Sequence, residues 1–169
     1  GVMKSEASDR ALQRTGPGVA VAIVGHVSRF AELGASGKGG RAVGVSLFDR
    51  KTDDIVFDVN FWHYRAIVEA VRSLRVLPEA TVDALHKSWQ ETGLTSDEVR
   101  LVAAAIRSRL LPTLAEGERL LLDGRRTTEP DDGTFYRDPA DQHKNYSTDR
   151  RVLEEFARCC ETCNGFSVC

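Results

Sequence analysis

The sequence predicts an α+β domain in which a small, mostly antiparallel sheet is packed by three to four helices. Three observations carry that expectation. In Ile55–Phe61 (IVFDVNF) the residues Ile55, Phe57, Val59 and Phe61 alternate with Val56, Asp58 and Asn60, the period of a half-buried strand. A second apolar run, Val43–Phe48, precedes it across the polar link Asp49–Asp54 (DRKTDD), which suits a hairpin. Beyond them, apolar residues recur at helical spacing in several stretches bounded by Pro and Gly.

Taken in order, residues 1–42 form an N-terminal extension. Their charged side chains are mainly basic, and Gly34, Gly37, Gly39 and Gly40 punctuate their end, as in a loosely docked arm closed by a flexible linker. Residues 43–169 form the domain. After the hairpin, Ile67, Val68, Val71 and Leu74 mark a helix stopped by Pro78. A second helix is expected over Glu79–Thr92, with Val82, Leu85 and Trp89 inward and Gly93 as its C′ residue. The third opens on Thr95-Ser96-Asp97-Glu98, a capping-box spacing, and runs to Pro112. A Gly-centred turn between the second and third helices predicts an αα-hairpin. Leu120–Leu122 reads as a short buried strand. The final helix takes Ser147 as N-cap and carries Val152, Leu153, Phe156 and Ala157 on its apolar face. Asn164-Gly165 then permits positive φ, and Phe166–Cys169 adds a strand.

Composition excludes several classes of function. With 41% hydrophobic and 28% charged residues, the chain is neither disordered nor fibrous. A net charge of −2, without a basic stripe, argues against nucleic acid as partner. No stretch reaches the roughly 18–20 apolar residues of a membrane span. The glycine-rich Gly34–Gly40 (GASGKGG) lacks the first glycine of a Walker loop and has Gly39 where Ser or Thr is needed after the lysine.

Reactive side chains gather between Glu129 and Cys169. All four cysteines, Cys159, Cys160, Cys163 and Cys169, fall there, too close together to close a long loop. Such clustering suits reduced thiols and a cytoplasmic setting. Cys160-Glu161-Thr162-Cys163 spaces two thiols for one tetrahedral ion, and the following Asn164-Gly165 resembles the turn of a zinc knuckle. With Cys169 and either His143 or Cys159 completing the set, the residues point to a structural zinc. The competing reading packs Cys159 or Cys160 as a small core residue and leaves the other cysteines as free thiols. A redox pair is disfavoured, because this C-x-x-C closes a helix and the dipole there opposes a thiolate.

The acidic loop Glu129, Asp131, Asp132, Asp138 and Asp141 offers carboxylates to a hard cation, but its spacing departs from the EF-hand and its Pro and Gly favour turns. His143 near Tyr136 and Tyr146 suits acid–base work only if a second group anchors it. Arg125-Arg126-Thr127-Thr128 can hold an anion or simply be solvated.

Every enzyme motif tested is absent or incomplete, while the turn-rich residues 125–146 offer a contact surface. The expected function is therefore non-catalytic binding of a protein partner, as in a bacterial-type adaptor, immunity-like or regulatory domain, with a structural zinc on Cys160, Cys163, Cys169 and His143. The alternative is a metal-assisted hydrolase using Asp131, Asp132, His143 and the cysteines. The alternative expects His143 close to a carboxylate or cysteine in a concave pocket; the binding reading expects a flat or convex surface there.

Overall fold

In chain order the elements are β1 (Gly44–Asp49), β2 (Ile55–Asn60), α1 (Phe61–Leu74), α2 (Glu79–His86), β3 (Gly93–Thr95) and α3 (Ser96–Ala105). They continue with β4 (Arg119–Leu121), β5 (Arg126–Thr127), β6 (Ser147–Asp149), α4 (Arg150–Thr162) and β7 (Gly165–Val168). The structure is a computed structural model and describes residues 44–87 and 92–169. The arm expected over 1–42 lies outside those residues, as does Trp89 of the second expected helix.

Among the described residues, two antiparallel sheets and four helices make the α+β architecture that the patterning predicts. The larger sheet has the order β2-β1-β7-β3 and the smaller β5-β4-β6. The β1–β2 hairpin forms with one departure. Leu47 pairs with Phe57 but Phe48 pairs with Ile55, so Val56 is an extra residue in β2. A one-residue insertion reverses the face of what precedes it. Ile55, expected inside, is consequently 58% exposed, while Phe57 remains buried.

Phe61 leaves the strand and becomes the first residue of α1, because the Asn60 side chain accepts the His63 N–H at 2.8 Å and caps the helix. Helix α1 ends at Leu74, with Arg75 in the left-handed region, and Pro78 serves as the N-cap residue of α2. Buried Tyr64 donates its hydroxyl to the Leu85 carbonyl at 3.1 Å, and Arg72 pairs with Glu69, Glu79 and Asp83, so α1 and α2 are tied by both core and surface. The capping box of α3 is complete: Thr95 Oγ1 accepts the Glu98 N–H, and Glu98 Oε2 accepts the Thr95 N–H at 2.8 Å. The helix continues into a π-helical turn over Ile106–Leu110 and a 3-10 turn around Pro112.

Two expectations of the cap residues are corrected. Gly93 does not end a helix; it opens β3, and the αα-hairpin expected around it is not seen among the described residues. A Cβ at Gly93 would lie 1.9 Å from the Phe166 carbonyl oxygen, so the glycine answers to close strand packing. Ser147 does not cap α4 either. It pairs with Leu121 in β6, and Asp149, also in that strand, accepts the Val152 N–H at 2.9 Å as the true N-cap.

Helix α4 lies against the larger sheet. Phe156 sits edge-on between Phe57 and Phe166, with ring centroids 5.5 and 6.2 Å away. Leu153, Ala157 and Cys160 on the same helix are fully buried. Buried apolar side chains from both sheets and the four helices join one core, each fully buried Leu or Phe contributing about 1.5–3 kcal/mol. No described helix is long and apolar enough to cross a membrane.

Candidate functional site

Polar side chains concentrate in a cleft beside the smaller sheet and at the polar turn of the larger sheet, besides the charged pairs between α1 and α2. The cleft begins with β4. A strand sends alternate side chains to opposite faces, so Leu120 enters the core while Arg119 and Leu121 line a hollow of about 450 Å³. Residues 128–141 cross this hollow as a strap, and the 3-10 turn Gln142–Asn145 closes one side.

Prominent among the contacts that hold the strap are three. At its start Arg119 Nε donates to the Glu129 carbonyl at 2.8 Å. Near its far end the Asn145 side chain grips the backbone of Tyr136, accepting its N–H and donating to its carbonyl, both at 2.8 Å. Between them the Phe135 ring lies 5.7 Å from Trp62, which itself stacks on Tyr146 at 4.9 Å. Arg65 completes this aromatic group, its guanidinium carbon 5.0 Å above Tyr146 and 5.7 Å above Phe61. Its Nε is buried without a hydrogen-bond partner among the described residues, and the ring faces supply the compensating negative field. Beneath them His63 Nδ1 lies 2.6 Å from the Ser147 carbonyl, joining α1 to β6.

Charges in the cleft are mixed. Arg119, Arg125, Arg126 and Lys144 face Glu129, Asp131 and Asp132. Arg125 pairs with Asp123; Arg126 donates to the Thr113 carbonyl and hydroxyl; Lys144 pairs with Asp141 at 2.9 Å and lies 5.3 Å above the Tyr136 ring. These contacts set the titration of the acids. The Lys144 ammonium lowers Asp141, and Asp141 raises Lys144 in return. Burial pushes Asp123 upward, but the Arg125 N–H and guanidinium outweigh it and leave the carboxyl below its ordinary value. Asp132 is lowered by hydrogen bonds from Thr134.

His143 stands in this cleft, with Nε2 3.7 Å from Asp123 Oδ2, and the surface is concave rather than flat. That is the geometry attached to the hydrolase reading. The chemistry around it differs from that reading, because Nε2 is turned to the Arg125 guanidinium, a group with protons to donate and none to accept. A ring nitrogen held this way is not available as a general base. The hydroxyls lining the cleft belong to Thr127, Thr134 and Tyr136, and no cysteine joins them.

The four expected zinc ligands are distributed over separate places. Cys160 and Cys163 are buried at the end of α4, Cys169 is exposed opposite Ser46, and His143 is in the cleft. Among the described residues no three of His, Cys, Asp and Glu are gathered for a metal ion. Cys160 and Cys163 thus supply two groups of a tetrahedral set that requires four. Burial raises the Cys160 thiol well above its ordinary value, as expected for a packed core residue. Cys163 titrates lower, because the Cys159 thiol and then the Gly165 N–H donate to its sulfur, while that same contact raises Cys159.

The turn below the larger sheet was not anticipated as a polar centre. Asp49, 4% exposed at the end of β1, accepts the N–H groups of Lys51 and Thr52 at 2.7 and 3.0 Å. Its other oxygen accepts the Asn164 N–H at 2.8 Å. These donors, Asn164 first, hold its carboxyl down at about 2. Asp49 therefore fastens the β1–β2 turn to the α4–β7 turn. Arg119 and Asn145 were also missed. Nothing in Arg119-Leu120-Leu121 or Lys144-Asn145-Tyr146 distinguishes a side chain that pins a distant loop from one that is solvated. No protein-family model, curated protein or solved structure matches the chain.

Proposed function

We propose that the domain acts without catalysis, by binding a protein partner across the strap and the cleft beneath it. The observation that carries this reading is Phe135. Its ring is 58% exposed although the strap around it is pinned on either side and Trp62 supports it from below. A rigidly presented aromatic beside arginines has the composition of an interface hot spot, since little conformational freedom is lost when a partner covers it. The hydrolase reading keeps the concavity of the cleft in its favour, but His143 Nε2 is turned to Arg125, and among the described residues no three of His, Cys, Asp and Glu gather for a metal ion.

The test is quantitative affinity capture from the source cells with the parent chain, Phe135→Ala and Leu101→Ala, followed by calorimetry with the captured protein. Leu101 is 54% exposed on α3 and serves as the control for a generic apolar surface. Phe135→Ala is expected to weaken binding about tenfold or more, at least about 1.4 kcal/mol, while Leu101→Ala leaves it unchanged. A partner retained equally by all three chains, or no stoichiometric partner, ends the proposal.

A further inference from the structure

The cleft has a feature that the exposed aromatic does not explain. Arg119 projects from β4 into the floor of the hollow with its side chain 17% exposed. Two hydrogen bonds orient its guanidinium, Nε to the Glu129 carbonyl at 2.8 Å and Nη1 to Ser147 Oγ at 3.0 Å. Its nearest carboxylate is Asp131 Oδ2, at 3.6 Å, on a side chain that is 59% exposed. A pair this long and this solvated contributes little. Of the other cations of the cleft, Arg125 and Arg126 have partners outside the strap in Asp123 and Thr113, and Lys144 pairs with Asp141 at the strap's end. Arg119 is opposed by an acid carried on the middle of the strap, at a longer distance than the Lys144–Asp141 pair.

Asp131 also belongs to the most loosely held part of the strap. Between the pins at Glu129 and at Phe135 and Tyr136, the Gly133 N–H goes to Asp131 Oδ1 and the Thr134 N–H to Asp132 Oδ1, both within the turn. Rotation of this turn carries the Asp131 carboxylate off Arg119 without breaking a bond to the body of the domain. The rotation has a second effect. A neighbouring hollow of about 670 Å³, lined by Glu116, Arg150 and Glu154, shares Arg119 and Asp131 with the first as a common wall. Turning Asp131 away leaves Arg119 as the shared wall of the two hollows, which together form a trough beside the small sheet.

We propose that an acidic side chain in an extended segment of the partner enters this trough and pairs with Arg119, and that Asp131 is the resident carboxylate it displaces. A guanidinium already oriented by two hydrogen bonds suits bidentate capture of a carboxylate. Arg125, Arg126 and Lys144 add positive potential on one side of it, against Glu129 and Asp132 on the rim. The inference rests on the partner-binding reading for the identity of its ligand, but on Arg119 and Asp131 rather than Phe135.

The experiment titrates the ¹⁵N-labelled full chain separately with a hexaglutamate peptide, a hexalysine peptide and inorganic phosphate, following the amides from Glu129 to Tyr136. Hexaglutamate is expected to shift these amides and hexalysine to leave them unmoved. Asp131→Asn should bind hexaglutamate about two- to fivefold more tightly, the gain from removing a weak internal competitor, and Arg119→Gln should lose binding. Unchanged affinity in Asp131→Asn overturns the proposal, as does binding retained by folded Arg119→Gln. Should Arg119→Gln fail to fold, the exposed Asp131→Asn still decides. Phosphate binding as tight as hexaglutamate would make the cleft a general oxyanion site and overturn the acidic-segment assignment. Failure here with Phe135-dependent capture intact removes only this inference; hexaglutamate binding without such capture removes the reading above.

Discussion

The strap over the small sheet and the α4–β7 junction are neighbours in sequence and opposites in construction. The junction is held by burial: Leu153, Phe156, Cys160, Cys163 and Phe166 are all nearly or fully inaccessible, and one carboxylate, Asp49, gathers the backbone donors around it. The strap is held by three isolated pins, Arg119, Asn145 and the Phe135–Trp62 contact, with solvent between them. Buried contacts are shared among many atoms, so the junction yields only with the whole fold; a pinned loop can open one pin at a time.

The sharpest break in that comparison is Gly165→Ala. Gly165 has φ 85°, and an added Cβ would lie 2.6 Å from the Leu94 carbonyl oxygen, a backbone atom that cannot step aside. Urea unfolding should show a loss on the order of 3 kcal/mol, with both regions unfolding together. Next comes Leu153→Ala, at a fully buried position, with an expected cost of about 3 kcal/mol. Phe135→Ala on the strap should change stability by no more than about 0.5 kcal/mol in the same assay. Equal costs for the two would mean that the strap belongs to the cooperative core.

Acid separates the regions in another way. The Asp49 carboxyl is held below its ordinary 3.8, at about 2, so its contribution to stability is complete above the unfolded value and disappears as pH falls from 3.8 towards 2. Acid unfolding followed by far-ultraviolet circular dichroism should steepen in that window for the parent chain and flatten in Asp49→Asn. A local effect is expected from Asn145→Ala, which removes both bonds to the Tyr136 backbone. Global stability should fall by about 1 kcal/mol, and hydrogen exchange should accelerate at Tyr136 while Leu153 keeps its protection.

Legibility followed the same division. The capping box at Thr95, the helices around Val71 and Leu153 and the β1–β2 hairpin could be read because their information is local, in spacing and in neighbours along the chain. Burial of Cys160 was foreseen only within the competing account of a metal motif and burial of Cys163 not at all, since a thiol suits a core and a ligand set equally well. What escaped depends on residues far apart: β3 is three residues long and is a strand only because β7 pairs with it. Ser147 and Asp149 both suit an N-cap, and the pairing of β6 with β4 decides between them. The cleft escaped for the same reason, because Arg119 and Asn145 acquire their roles from a strap whose path no local pattern specifies.

The strand order of the larger sheet has a consequence for how the molecule is made. β7, the latest of its strands in sequence, lies between β1 and β3. During synthesis from the amino end, β1 and β2 can close as a hairpin at once, but β3 meets its sheet partner only when residues 165–168 arrive. Until then β1 offers one open edge, and the apolar face carrying Val45, Leu47 and Phe57 awaits Phe156 and Phe166. Assembly is thereby governed by pairings of long sequence separation, which are slow to form. The nascent chain is most open to wrong partners in the interval before β7 seals the sheet.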